Sequence, residues 1–412
     1  MSLNADVIII GAGPSGAVSG ALLAQKGYKV LILERAQFPR FSIGESLLPQ
    51  CMTFLEEAKM LDAVQAAGFQ YKNGAIFEYG DQHTFFNFEE KFTSGWGTTF
   101  QVQRDRFDKI LADRAEAQGV EIHYQESITT VDFEGEHPIL QSQKSDGSTV
   151  TYRCQFVLDA SGFGRVLPRL LDLEIPSDFP IRQSNFTHIE DNIDAGLFDR
   201  NKIIITVHPK YRDVWYWLIP FSNGRCSIGV VGEPDFFAKR QQTPEALLKS
   251  IVNEAPGLQK RLTKAKWDTP VNQITGYSSN VKALYGKHFA LLGNAGEFLD
   301  PVFSSGVTIA LKSASLAAKV LDRQLQGHEV NWKEEYQVPL QFGVNTFRCY
   351  VEAWYDHSFQ DIIFSSNQNK NVTEKISSIL AGYAWDEKNP YVKQCKRKLP
   401  QLAKLCQQKK SV

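Results

Sequence analysis

The sequence predicts an α/β chain in which pieces of a parallel, nucleotide-binding type of sheet alternate with blocks of antiparallel strands, followed by helices alone. Three observations carry this. The chain opens with a strand, a glycine loop, a helix and a second strand. Two later apolar runs end in glycine-containing turns, at residues 159–162 and 293–296. Between them lie short, aromatic, turn-punctuated segments with the two-residue period of half-buried strands.

Taken in order, residues 5–10 read as a buried parallel strand, and an alanine- and leucine-rich helix runs from the glycine loop to about Lys26. Residues 29–33 form the next strand, closed by Glu34. An irregular stretch at 38–49 holds two prolines and the triplet Gly44, Glu45, Ser46, and a helix follows over about 50–57. Residues 70–102 suggest hairpins, and about 104–118 an amphipathic helix. Strands are expected at 120–124, 128–133, 138–143 and 149–159, then in a block at 182–232. A helical patch follows at 243–253, a buried strand at 289–292 and a long helix from about Gly306 to Leu325. From 331 onward the pattern is helical.

Bulk composition narrows the function. The 412 residues exceed what one small core needs, and 43% hydrophobic with 22% charged residues is ordinary for a globular protein. A net charge of −1 gives no electrostatic reason for nucleic acid or an anionic membrane as partner. Six scattered cysteines without a C-x-x-C pair argue against a disulfide framework or a metal site and fit a reducing compartment, so a cytoplasmic location is expected. No stretch approaches the ~18 apolar residues of a membrane span. The lysine-rich end after Tyr391 reads as a solvated helical face.

Gly11, Gly13 and Gly16 have the G-x-G-x-x-G spacing between a strand and a helix, where a tight turn lets a pyrophosphate approach backbone N–H groups and the helix dipole. Glu34 lies where a carboxylate can accept a hydrogen bond from a ribose. No second such string exists for a separate nicotinamide dinucleotide. The segment 215–220 carries the other distinctive feature. As a strand it sends Trp215, Trp217 and Ile219 to one face and Val214, Tyr216 and Leu218 to the other. On spacing alone this is a core strand.

Together, the glycine string, Glu34, the 44–46 triplet, Arg104 with Phe107, Asp108 and Leu111, and the 159–162 and 293–306 stretches resemble the flavin monooxygenase fold typified by p-hydroxybenzoate hydroxylase, over about residues 5–330. The resemblance implies a Rossmann-like FAD-binding domain (1–75, 100–180 and 280–330) interleaved with an antiparallel-sheet substrate domain (76–99 and 181–279), with a C-terminal helical region (331–412). It implies FAD as cofactor, contacted by Gly11, Gly13, Pro14, Ser15, Gly16, Glu34, Arg35, Glu45, Ser46, Arg104, Asp159, Ala160, Gly162, Gly293, Asn294, Pro301, Gly306 and Val307. The family usually has aspartate at 294, so asparagine there is expected to alter FAD binding.

Within that fold, Trp215, Trp217, Ile219 and Pro220 resemble the W-x-W-x-I-P signature of flavin-dependent halogenases, in which the tryptophans keep substrate from the flavin. Phe298, Pro301, Ser304 and Gly306 resemble the F-x-x-P-x-x-S-x-G motif, and Lys72 stands where these enzymes carry their catalytic lysine. The resemblance implies Lys72, Trp215, Trp217 and Ser304 as catalytic residues and Ser305 with Gly306 as halide site, no metal, and an electron-rich aromatic substrate. It leaves a flavin reductase and a carrier protein as candidate partners. Tryptophan halogenases carry glutamate before the motif serine; Phe303 here turns the expectation from free tryptophan to a phenol, resorcinol or pyrrole. Three alternatives stay open: an aromatic hydroxylase, a reductase resembling geranylgeranyl reductase, with Phe85, Phe86, Phe88 and Phe92 lining an apolar pocket, and a flavin-binding protein without turnover.

Overall fold

The computed structural model describes residues 4–366 and 369–408. Its first organising element is a six-stranded sheet in the order Tyr285–Gly286, Phe289–Leu291, Phe156–Asp159, Val7–Ile10, Val30–Glu34, Glu121–Tyr124. All pairings are parallel except the first. The four inner strands are buried on both faces, as continuous apolar runs such as Val7–Ile10 require. Helices Pro14–Ala24, Arg104–Glu116 and Gly306–Leu325 pack together on this sheet. The turn into the first helix is tight: a Cβ on Gly16 would fall 1.9 Å from the Gly11 carbonyl oxygen.

The expected strand over 149–159 is two strands in two sheets. Thr149–Arg153 pairs antiparallel with Ile139–Lys144, which pairs in turn with Glu126–Asp132. The chain then switches: Cys154 N–H bonds to the Pro138 carbonyl and Gln155 N–H to that of Asp6, and Phe156–Asp159 enters the parallel sheet. Both pieces are strand-like and rich in β-branched and aromatic residues, so local pattern alone merges them.

A seven-stranded sheet has the order Asn272–Thr275, Gln183–Glu190, Arg225–Gly232, Trp215–Pro220, Lys202–Val207, Gly74–Tyr79, Gln82–Asn87. One face is covered by Pro244–Asn253 and Pro256–Arg261, which pack on Tyr216, Leu218 and Ile228. The other face joins the main core with Trp215, Trp217 and Ile219. Helices Val338–Tyr355 and Ser358–Ile363 close that core. Trp354 lies 6.0 Å from Phe77, and Phe303 is ringed by Tyr350, Trp354 and Phe359. Phe86 and Phe88 are core residues, whereas Phe85 and Phe92 are exposed, and none of the four borders the cleft described below.

The last described helix, Cys395–Gln408, buries Leu399, Ala403 and Cys406 and exposes Lys396, Arg397 and Lys404; the final lysines lie outside the described residues. Among the described residues no helix is long and apolar enough to cross a membrane.

Candidate active site

A cleft of about 600 Å³ separates the two large sheets, within the ~300–1,000 Å³ range of ligand sites. At one end it is lined by Gly11, Gly13, Pro14, Ser15, Glu34, Arg35, Ala160 and Gly162. Gly11 has φ +97°, and a Cβ there would meet the Ala160 oxygen at 2.8 Å, so glycine is needed both for conformation and for space. Glu34 is fixed by the backbone: Oε2 accepts from Ala12 N–H at 2.8 Å and Oε1 from Ala36 N–H at 2.9 Å. Gly16, Asp159 and Gly293 do not border the cleft. Asp159 instead ties the adjoining turn, accepting from Ser161 and Leu167 N–H.

The middle of the cleft is set by Arg104. It pairs with Asp108 at 2.7 and 3.0 Å and donates from Nη1 to the Ile43 carbonyl at 2.6 Å. Gly44, at φ +98°, makes the turn, and a Cβ on it would sit 3.0 Å from that guanidinium. The chain then buries Glu45 and Ser46 side by side against the cleft. His188 Nε2 lies 2.6 Å from Glu45 Oε1, while Glu45 Oε2 is buried without a partner. Burial pushes the His188 pKa down, but the hydrogen bond and charge of Glu45 outweigh it, and the imidazole titrates above its ordinary value.

Trp215 and Trp217 both line the cleft and are nearly fully buried, with ring centroids 6.0 Å apart. Trp217 pairs across the sheet with Gly229, and a Cβ on that glycine would fall 2.3 Å from the indole. The missing side chain therefore lets the indole lie flat on the sheet, where Nε1 donates to Ser227 Oγ at 3.0 Å. Trp215 Nε1 donates to the Tyr355 hydroxyl at 3.1 Å, and Tyr355 donates to Asp300 Oδ2 at 2.7 Å. Burial lifts the Asp300 pKa to about 6.

Lys72 is fully buried on Gln70–Lys72, a strand that pairs with Thr99–Gln101. Its Nζ donates to Ser46 Oγ and to the Leu47 carbonyl, both at 2.8 Å. Burial lowers its pKa from 10.5 to about 7. Lys72 does not itself border the cleft; Ser46 does, and stands between them.

At the far end Asn294, Pro301, Ser304, Gly306 and Val307 line the wall, and Ser305 is buried just behind. Ser304 adopts φ +56°, a left-handed turn that aims the start of Gly306–Leu325 at the cleft. The cleft thus has two long-helix N-termini, a fixed carboxylate at its nucleotide end and an apolar aromatic wall opposite. That set fits an extended dinucleotide with a flat ring system. Sequence reasoning missed His188, Ser227, Gly229, Asp300 and Tyr355, and with them Tyr277, which lines the cleft and donates to Asp300 Oδ2 at 3.4 Å. For His188 the two-residue alternation of Gln183–Glu190, shared with cleft-lining Ser184, was an available signal.

Comparison with known proteins agrees with this geometry. A family model described as an FAD binding domain matches residues 4–333. The solved structure of a flavoprotein/dehydrogenase from Cytophaga hutchinsonii is 42% identical with a TM-score of 0.95, covering 98% of this chain and 99% of that one. A tryptophan 2-halogenase of Chondromyces crocatus is 30% identical over 327 residues, which cover 76% of this chain but 60% of that protein's length. A 1H-pyrrole-2-carbonyl-peptidyl-carrier-protein chlorinase of Pseudomonas fluorescens is 27% identical, covering 85% of this chain and 83% of the chlorinase.

Proposed function

From a chain that belongs to the FAD-binding domain family, we propose a flavin-dependent halogenase acting on an electron-rich aromatic compound. The observation that carries the reading is Lys72, a buried lysine whose pKa falls to about 7, separated by one serine hydroxyl from an FAD-sized cleft that Trp215 and Trp217 line. Halogenase relatives of this chain support it. The proposed boundaries remain 1–75, 100–180 and 280–330 for the FAD-binding domain, 76–99 and 181–279 for the substrate domain, and 331–412 for the helical region. Strand Gly74–Tyr79, which straddles residue 75, joins the seven-stranded sheet.

FAD, when reduced and bound with oxygen and halide, supplies an electrophilic halogen as hypohalous acid. The protein's part is to bind, separate and hand over. Gly11, Gly13, Pro14, Ser15, Glu34, Arg35, Glu45, Ser46, Arg104, Ala160, Gly162, Asn294, Pro301, Gly306 and Val307 hold the cofactor, with Gly16, Asp159 and Gly293 shaping its turns. Ser305 and Gly306 present helix N–H groups to the halide, and Ser304 sets their direction. Trp215 and Trp217 keep the organic substrate off the flavin, so the oxidant must travel. Lys72 receives it: near neutral pH a substantial fraction of this amine is unprotonated, and its lone pair can take the halogen. Ser46 is the gate between the amine and the cleft.

A phenol, resorcinol or pyrrole is the proposed substrate class, because Phe303 is enclosed by aromatic rings and offers no carboxylate for indole. The match to a chlorinase of a carrier-bound pyrrole supports a carrier-protein partner. Free reduced FAD from a separate reductase is the proposed electron source. The six free, buried cysteines support a reducing compartment, the cytoplasm. The test is Lys72→Ala with chemically reduced FAD, bromide and a phenolic probe: halogenated product should vanish while flavin reoxidation continues. Unchanged product in the variant would reject the role of Lys72.

A further inference from the structure

Among the described residues four carboxyl side chains line the cleft: Glu34, Glu45, Glu126 and Asp300. The first two are assigned to the cofactor, and Glu126 accepts from Ser142 and Tyr152 in the neighbouring three-stranded sheet. Asp300 stands at the end that Trp215, Pro301 and Ser304 also line, where halide and oxidant are placed above. It is 2% exposed. Its Oδ1 accepts from Val302 N–H at 3.1 Å, and its Oδ2 from the hydroxyls of Tyr355 at 2.7 Å and Tyr277 at 3.4 Å. Tyr355 in turn accepts from Trp215 Nε1 at 3.1 Å. Arg182 lies 4.0 Å over the Tyr355 ring, but its ion pairs go to Asp213 at 3.3 Å and Glu233 at 3.6 Å.

Neutral donors, not an ion pair, therefore hold this carboxyl. They and the charge of Arg182 favour its ionised form, but burial outweighs them and lifts the Asp300 pKa to about 6. Tyr277 and Tyr355, the titratable groups bonded to it, are pushed well above their ordinary value by burial and keep their protons. The one proton this cluster exchanges near neutral pH sits on Asp300. The proposed reaction needs such a proton. Oxygen, one halide ion, two electrons and three protons give hypohalous acid and water. Anionic reduced flavin brings the two electrons and one proton, so two protons come from elsewhere. With no halide, oxygen, two electrons and two protons give hydrogen peroxide, and one proton comes from elsewhere. An indole wall has none to give.

We propose that Asp300 is the acid that delivers a proton to oxygen as oxygen is reduced in the cleft. The O–H bond of the Asp300 carboxyl breaks as an O–H bond forms on the reduced oxygen. The electrons come from reduced FAD, which is oxidised by two, and the carboxylate left behind takes its next proton from solvent. The hydroxyls of Tyr355 and Tyr277 stay on Oδ2 and Val302 N–H on Oδ1, so the new negative charge is met by donors already in place. Through Tyr355 the acid and Trp215 are one bonded unit, so the group that protonates the oxidant is fixed to the wall that confines it. This assignment rests on the oxygen chemistry of the halogenase reading, and is independent of halide and of Lys72.

The experiment compares wild type with Asp300→Asn at equal FAD saturation, by infrared titration and by stopped-flow reoxidation. Asparagine keeps an oxygen to accept from Val302 N–H and removes the acid. Without any reaction, the wild-type minus variant infrared spectrum should show the carbonyl band of a protonated carboxylic acid that fades as pH rises through about 6. Chemically reduced, FAD-loaded wild type, mixed with oxygen and no halide, should reoxidise about tenfold more slowly per pH unit above about 6, with a solvent deuterium isotope effect. Asp300→Asn should lose the slope and the isotope effect, and be slower by about a hundredfold at about pH 5. A wild-type rate that is flat with pH overturns the proposal, and this result stands even if the variant does not retain FAD. A variant that keeps the wild-type slope and isotope effect also overturns it, with or without the infrared band, because Asp300 would then only cap its turn. Loss of brominated product with this proton dependence intact rejects the halogenase reading and leaves Asp300 as the acid, so the two failures are read separately.

Discussion

Replacing Lys72 with Met tests the most unusual group beside the cleft without any reaction. Burial lowers the Lys72 pKa from 10.5 to about 7. Below about pH 7 the lysine is protonated both folded and unfolded, and the folded state bears the full cost of a buried charge. Between about 7 and 10.5 the unfolded chain binds the extra proton, so wild-type stability rises with pH relative to a variant that cannot titrate there. The whole shift corresponds to roughly 5 kcal/mol at 1.36 kcal/mol per unit. The part gained between about pH 6 and about pH 9 is roughly 3 kcal/mol. The assay is urea unfolding of wild type and Lys72→Met at both pH values and equal FAD saturation. Lys72→Met loses two hydrogen bonds, to Ser46 and Leu47, and this fixes the sign of the difference at any one pH no better than the packing does. The change of that difference with pH is free of it. A difference that stays flat across the range would refute a lowered Lys72 pKa and remove the amine's suitability as halogen acceptor.

Gly229→Ala should displace the Trp217 indole, since the new Cβ would lie 2.3 Å from it; a cost of about 1–3 kcal/mol for overpacking and a shift in tryptophan fluorescence are expected, and an unshifted spectrum would contradict the flat-lying ring. Tyr355→Phe removes the acceptor of Trp215 Nε1 and a donor to Asp300; it should loosen the wall and raise hydrogen peroxide release at constant flavin oxidation. Asp300, lifted from 3.8 to about 6, binds its proton more tightly folded than unfolded. Wild type should therefore lose about 2 kcal/mol relative to Asp300→Asn as pH rises from about 4 to about 6, read by thermal unfolding. Arg104→Lys cannot keep both the Asp108 fork and the bond to Ile43; FAD affinity should fall, measured by flavin fluorescence.

Much of this was legible in the sequence because it is local. The glycine string, Glu34 and the helix after it occupy one continuous unit, and period-two alternation correctly divided the Trp215–Pro220 strand between two cores. What escaped is long-range. Tyr355 reaches Trp215 from 140 residues away, and His188 reaches Glu45 from 143. The burial of Lys72 depends on a three-residue strand whose partner is at Thr99–Gln101 and on Ser46 and Leu47, held beside that partner by a bridge from Ser46 to Gln101. The role of Gly229 is invisible until its register opposite Trp217 is known. Nothing in periodicity separates Thr149–Arg153 from Phe156–Asp159, since only hydrogen bonding assigns them to different sheets.

In the proposed reaction, oxidant made at the flavin is captured as halogen and delivered to an aromatic ring across the tryptophan wall. The most direct measurement is mass spectrometry of a phenolic probe incubated with the protein, reduced FAD and oxygen, with and without bromide. A brominated product with the bromine isotope doublet, dependent on bromide and on Lys72, is expected. A hydroxylated product formed equally well without bromide would contradict it.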